Sequence, residues 1–211
     1  FVLDHLAGLG LDEFEVFDAL NDMRNIAFHL REGSRLGLRT SACLIFAESP
    51  VHTDAYFAQK AAEVAGYGAA AILLYDATGV LRPERVAPLV AAIRAAAPGL
   101  PVELNVHDQT GLALACYREA LRAGVTALSS AARPVAGGNS VPATAGVVAL
   151  ARELGVDTDV DDVQIAWLDS YFRYLAHVHG KPLRHDVEYD AEQFERYVGH
   201  QIPGGMMSHY V

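Results

Sequence analysis

Five apolar runs, at residues 14–17, 38–46, 71–74, 102–106 and 126–129, alternate strictly with helical patterns along the first two thirds of the chain. Their starts lie roughly 25 to 33 residues apart, about the length of one strand plus one helix plus two turns. Strict alternation of this kind demands a parallel sheet, because each strand must be carried back to the same end by a crossover helix. The helical patterns fall at 26–32, 55–64, 83–97 and 112–123. The first is expected to end at Gly33 as a C′ residue and the second near Gly66. The third opens on Pro83 and stops before Pro98-Gly99, and the fourth stops at Gly124.

Two parallel architectures compete, an open doubly wound sheet and a β/α barrel. No Gly-x-Gly-x-x-Gly follows a strand, which weakens the dinucleotide-binding form of the first. Polar residues collect instead just beyond several strands: Asp18 and Asn21, Asp76, His107 and Asp108, and Asn139 after Gly137-Gly138. Catalytic groups spread over many strand ends suit a barrel. A full barrel needs eight units, and five are counted here. The expectation is therefore an α/β chain holding the C-terminal five or so units of a TIM-type barrel over 1–150. A helical extension over 151–211 follows, led by an amphipathic helix at 160–178. The missing strands would come from upstream sequence or a second chain, in a homo- or hetero-oligomer.

Charge excludes some partners. With 26 acidic and 16 basic residues the net charge is -10, which lacks the basic footprint nucleic acid requires. No apolar run approaches the roughly 18 residues of a membrane span. Cys43 falls in a strand and Cys116 in a helix, without metal-type spacing. They read as buried thiols in a reducing, cytoplasmic setting.

The run from Pro101 to Gly111 carries the most chemistry. Asn105 and His107 are two apart on a strand and so share a face. An imidazole there suggests a metal ligand, a base, or a ring held by a neighbouring carboxylate; an amide oxygen beside it is a weak ligand for zinc-like ions. Asp76 either orients a ligand or caps the next helix. Tyr75 points to the opposite face from Asp76 and by default packs in the core with a partner for its hydroxyl. Gly137-Gly138-Asn139-Ser140 makes a tight loop before a helix beginning near Pro142, with an anion cradle as the alternative. His177, His179 and His185 read as favourable charges near a helix C-terminus rather than as ligands.

Phe14-Glu15-Val16-Phe17-Asp18-Ala19-Leu20-Asn21-Asp22-Met23-Arg24-Asn25 is similar to the motif "FRVFDALNDxRN", and Ser49-Pro50-Val51-His52-Thr53 to "SPVHT". Asp76-Ala77-Thr78-Gly79-Val80-Leu81 resembles "KDMAGLL" from its second residue on, and 102–111 resembles "VHLHTHDTSG". Pro134 to Pro142 resembles "PLAGGTSQP", and Gln201 to Met206 resembles "QVPGGM". Taken together, the chain resembles the biotin-dependent carboxyltransferases, a family that includes the pyruvate carboxylase carboxyltransferase domain, the oxaloacetate decarboxylase α subunit and the transcarboxylase 5S subunit. The resemblance implies a barrel entered near the helix before its fourth strand, so that the strands carrying a metal-binding aspartate and keto-acid contacts are absent.

It also implies a divalent metal (zinc, manganese or cobalt), carboxybiotin from a separate carrier, and a small keto-acid substrate. No Met-Lys-Met biotin-carrying segment occurs in this sequence. The departures fall on the chemistry. Tyr75 stands where the family has a carbamylated metal-binding lysine, and Asn105 where it has the first of two metal-binding histidines; His107 matches the second. Glu15 replaces an arginine that helps bind the keto-acid carboxylate, and Asn139 replaces the threonine that relays a proton to biotin. The resemblance therefore implies a diverged carboxyltransferase or decarboxylase with catalytic positions at His107, Asp108, Asp76 and Asn139, and substrate contacts at Glu15, Asp18, Tyr75 and Gly138. The alternatives are a non-catalytic half-barrel scaffolding an active partner, or a fragment of a longer carboxylase.

Overall fold

The computed structural model of the protein describes residues 1–207. The last four residues of the expected extension lie outside it. Five parallel strands form one sheet: β1 (Glu13–Val16), β2 (Arg39–Ile45), β3 (Ala71–Asp76), β4 (Val102–Val106) and β5 (Ala127–Leu128). Each strand pairs with the one before it in sequence, so the order is β1-β2-β3-β4-β5. A doubly wound sheet reverses its order at a switch point. This sheet has no reversal, and it is the arc of a β/α barrel.

The crossovers are α2 (Met23–Arg35), α3 (Asp54–Gly66), α4 (Pro83–Ala96) and α5 (Ala113–Arg122), preceded by the short α1 (Val2–Gly8). Each crossover helix packs on the next. Period-two alternation sends Ala42, Leu44, Ile72, Leu74, Leu104 and Val106 toward these helices, where they meet Leu30, Phe57, Leu89 and Ile93 in one continuous core. Full burial of each large side chain contributes about 1.5–3 kcal/mol. Tyr117 of α5 is completely buried and ties two strand ends together. Its hydroxyl donates to the Ser129 carbonyl at 2.7 Å and accepts the Val106 amide at 3.3 Å.

One sequence expectation needs correction. Gly33 does not terminate α2: the helix runs on to Arg35, and the left-handed residue after it is Gly37 at φ 74°. Gly33 is demanded by packing instead, because a Cβ there would sit 2.9 Å from the Phe14 ring and collide with the Thr40 hydroxyl. Within the expected helical extension, α8 (Ala191–His200) buries Phe194 fully beneath the Arg82 guanidinium, 4.2 Å from the ring centre.

Beyond β5, a 3-10 turn (Arg133–Val135) leads to α6 (Thr144–Glu153), α7 (Asp162–Val178), α8 and the short α9 (Gly204–Met207). The start of α6 matches the helix expected near Pro142. Asp169 of α7 accepts the Arg133 amide at 2.8 Å, fastening that helix to the turn after the last strand. No described helix is long and apolar enough to cross a membrane. Cys43 and Cys116 are both buried and free, and burial pushes the Cys43 thiol up to about 12, which keeps it inert.

Candidate functional site

The sheet face opposite the helices carries the unusual residues. Cross-strand neighbours share a face, so the register reads as rungs: Glu15 beside Ser41, then Cys43, Leu73 and Glu103, then Ile45, Tyr75 and Asn105. The last rung lies at the C-terminal end of the strands, the active end of β/α barrels. His107 follows directly after β4. Its Nε2 lies 3.2 Å from the Tyr75 hydroxyl, with the two rings edge to face at 5.6 Å. The partner of His107 is thus a phenol and not a carboxylate. His107 Nδ1 and Asn105 Oδ1 are buried and have no hydrogen-bond partner among the described residues. Burial lowers the pKa of His107, which keeps the ring neutral. Burial, with Cys43 and Glu15 nearby, raises that of Tyr75, which keeps the phenol protonated.

One rung down, Glu103 is ion-paired to Arg39 and accepts the Ser41 hydroxyl at 3.1 Å; Arg39 also pairs with Glu13. Glu15 is exposed and forms no ion pair among the described residues. Burial, then Glu103 and Glu13, raise its pKa, so it sits in a field of like charge. An anion would meet net repulsion on this part of the face.

The other expected site residues are placed around this centre. Asp76 is fully buried and turned toward the helices. Its carboxylate accepts the amides of Thr78 at 3.1 Å, Gly79 at 2.8 Å and Leu81 at 2.6 Å. It therefore shapes the loop after β3 and does not cap α4, whose N-cap is Arg82. Burial raises its pKa to about 6 in spite of those donors. Asp108 turns from the strand into the next helix, accepting the Ala113 amide at 3.2 Å; burial raises its pKa to about 6 as well. Asp18 accepts from Leu20, Asp22 and Asn25 and holds the turn before α2. Asn21 pairs with both backbone groups of Ile45 at 2.8 Å.

Gly137 and Gly138 have φ of 80° and 55°, and their loop is pinned to β4 by the Asp108 amide donating to the Ser140 carbonyl at 2.8 Å. Asn139 lies against Gly204, where any side chain would strike both Asn139 Oδ1 and Gln109. Gln201 locks this C-terminal segment down. It takes the left-handed conformation at φ 48° and exchanges two hydrogen bonds with the Glu48 backbone, at 2.7 and 2.6 Å. Gln201, Gly204 and Gln109 thus form part of the roof over the strand ends, a role the residue pattern alone did not assign. For α8 the signal was present: Asp190 followed three residues later by Gln193 is a helix-start pattern, and the Asp190 side chain accepts the Gln193 amide at 2.7 Å.

The metal that the motif resemblance implies does not suit these donors. A protonated phenol and an amide oxygen are poor ligands, and the one imidazole has a nitrogen engaged by that phenol. No group of three or more His, Cys, Asp or Glu that could hold a metal occurs among the described residues. Asn139 likewise has N–H donors and a carbonyl acceptor on separate atoms in place of one hydroxyl oxygen that both gives and takes a proton, so it does not fit a relay to biotin.

Comparison with known proteins gives a consistent answer. The chain is 35% identical over 203 residues to the 2-oxoglutarate carboxylase large subunit of Hydrogenobacter thermophilus, a match covering 96% of this chain and 30% of that one. It is 27% identical to the methylmalonyl-CoA carboxyltransferase 5S subunit of Propionibacterium freudenreichii subsp. shermanii, covering 98% of this chain and 40% of that one. Pyruvate carboxylase of Rhizobium etli superimposes with a TM-score of 0.88 at 25% identity, over 99% of this chain and 18% of the larger one. Its carboxyl transferase domain with 3-bromopyruvate gives 0.83 at 26%, over 98% of this chain and 35% of the domain's chain. The chain therefore spans less than half the length of each of these relatives. The HMGL-like family model matches residues 9–171, which cover all five strands, Tyr75 and Asn105 among them, and the loops carrying His107 and Asn139, and the chain belongs to the HMGL-like family.

Proposed function

We propose that the chain is the C-terminal part of a diverged carboxyltransferase-type barrel, acting on a keto acid or a related carbonyl compound at the Tyr75-Asn105-His107 rung. The partial barrel occupies 1–150 and the helical extension 151–211, with the first strands supplied by upstream sequence or a partner chain. One observation carries the reading: the Tyr75–His107 hydrogen bond sits beside the buried, unpartnered Asn105 Oδ1 at the active end of the strands. Unsatisfied polar atoms in such a place are retained for a ligand more readily than for stability. Glu15 then selects a ligand that is neutral or cationic where the carboxyltransferases hold a carboxylate.

The chemistry that carboxybiotin would supply is a carboxyl group delivered to, or removed from, the carbon next to the carbonyl. Asn139 cannot move the accompanying proton, so no biotin-linked step is assigned to this chain's residues. The test is an assay of the full-length natural protein for oxaloacetate decarboxylation and for turnover of keto acids and acyl-CoAs. Turnover abolished by His107→Ala with the fold retained supports the reading. Absence of turnover and of ligand binding across the panel overturns it.

A second reading is favoured by the sheet edges. The outer edges of β1 and β5 pair with no further strand among the described residues, and free parallel edges need cover. The chain would then be a half-barrel that scaffolds an active partner. Native mass spectrometry that finds a companion chain carrying the missing strands, together with a silent assay for this chain's own site variants, would select it.

A further inference from the structure

The two ring nitrogens of His107 have different surroundings. Nε2 meets the Tyr75 hydroxyl at 3.2 Å, whereas Nδ1 is buried with no partner. A neutral imidazole carries one proton, on one nitrogen or the other. A proton on Nδ1 would leave a buried N–H donor without an acceptor, among the rarest and most unfavourable situations in a folded protein. A proton on Nε2 leaves only a bare lone pair at the buried Nδ1. The imidazole then donates to the Tyr75 oxygen, and Tyr75 keeps its own proton for another acceptor. No protein group among the described residues takes that proton. Asn105, the direct cross-strand neighbour of Tyr75, carries two further N–H donors on its amide.

We infer that the Tyr75 hydroxyl, positioned by His107 and seconded by Asn105, receives the carbonyl oxygen of the ligand in the place where the resembled enzymes use a metal ion. The inference rests on the carbonyl-compound reading above. Three neutral groups do the work: a phenol that donates, an imidazole that fixes the phenol oxygen, and an amide. Donors aimed at a carbonyl oxygen polarise it as a bound cation does, and in a water-poor site they need no reorganisation. The same three groups explain why a metal does not fit, since the phenol and the amide offer a proton and a weak oxygen, and His107 alone supplies a single free ring nitrogen. Glu15, in the like-charge field of Glu103 and Glu13, narrows the ligand class to 2-oxo compounds without a negative charge on that side, such as a 2-oxo amide.

The experiment uses the full-length natural protein, dialysed against EDTA, with pyruvamide as the probe in calorimetry. Pyruvamide is expected to bind, and Tyr75→Phe, which keeps the ring and the packing, is expected to weaken it about tenfold, the effect of one hydrogen bond. Nitrogen-15 NMR of the histidine ring adds a readout that needs no ligand. The Nε2–H tautomer is expected, with its resonance displaced in Tyr75→Phe. An Nδ1–H tautomer, a divalent metal bound one to one and lost in His107→Ala, or unchanged affinity in Tyr75→Phe each overturns the inference and leaves the carbonyl-compound reading intact. Failure of both pyruvamide and pyruvate to bind overturns the two together.

Discussion

The two faces of the sheet obey different rules. On the helix side the strand residues are apolar or, like Asp76, have their polar atoms taken up by backbone amides, Thr40 being the exception with a buried hydroxyl oxygen against α2. On the inner side stand Glu15 without a counter-ion, Asn105 and His107 with buried atoms unpartnered, and Tyr75 between them. The first face is what a sequence needs in order to fold. The second contains polar groups that folding alone would not select. Departures from the carboxyltransferase motifs concentrate on the second face, while the helix side keeps its pattern. Side chains differ from the motifs here without disturbing the frame.

The sharpest way to break that comparison is to mutate matched positions on the two faces. Leu74 is fully buried against the helices. Leu74→Ala is expected to lower stability by about 2–5 kcal/mol, through lost burial and the cavity it leaves. Tyr75→Phe, the next residue on the opposite face, should change stability by less than about 1 kcal/mol while weakening ligand binding. Chemical denaturation of both variants decides it. A loss for Tyr75→Phe as large as that for Leu74→Ala would make the inner face structural.

Next in size is a pH effect from the helix side. Asp76 has its pKa raised to about 6 from 3.8 by burial. Between those values the native state holds a proton that the unfolded chain has released, so stability falls as pH rises through this window and is level above it. The full shift corresponds to at most about 3 kcal/mol. Asp108, raised to about 6, acts in the same direction. Asp22, lowered to about 2, gives its opposite contribution below that window, and His107, whose pKa burial lowers from 6.5, opposes the decline at the window's upper end. Denaturant midpoints are expected to decline from pH 4 to pH 6, and the decline should shrink in Asp76→Asn. A flat profile in the wild type would show that the loop amides hold the carboxylate ionised after all.

A smaller effect tests the link between the faces. Tyr117 reaches from α5 to the ends of β4 and β5. Tyr117→Phe leaves the half-buried Ser129 carbonyl and the buried Val106 amide without that partner, and is expected to lower stability by about 1–3 kcal/mol. Hydrogen exchange should localise the loosening to β5 and the loop after it. Protection lost equally everywhere would mean that the hydroxyl serves the whole core.

The helix side was readable from residue order because burial imposes a period that local sequence carries. The strand at 102–106 was placed to the residue, and the other strands to within two. Gly33 was misread because a glycine near a helix end has two explanations, and only the closeness of Phe14 and Thr40 separates them. The second partner of a site residue is harder still. Tyr75 and His107 lie 32 residues apart, and nothing local says that the hydroxyl finds Nε2 and not the core. Motif resemblance placed both at one site; the contact between them needed the register of β3 against β4. The Gln201 and Gly204 contacts escaped for the same reason, being made 153 residues from Glu48 in the one case and against Asn139 in the other.

The smallest effect separates the faces most cleanly. Asn105 Oδ1 is buried with nothing to accept from, so the folded state gives up its hydration without a replacement bond. Asn105→Ala removes that unsatisfied acceptor along with some packing. The two roughly offset, and the net change is expected to lie within about 0.5 kcal/mol of zero or on the stabilising side. An alanine at an apolar helix-side position such as Leu74 does not behave this way, because that position has no unsatisfied polar atom to relieve. A thermal melt of Asn105→Ala alongside pyruvamide binding gives the two numbers needed. Unchanged or raised stability with weakened binding is the signature of a group kept for its ligand. A loss of 2 kcal/mol or more, about what a well-satisfied buried group contributes, would mean that Asn105 has a structural partner on the strands that complete the barrel.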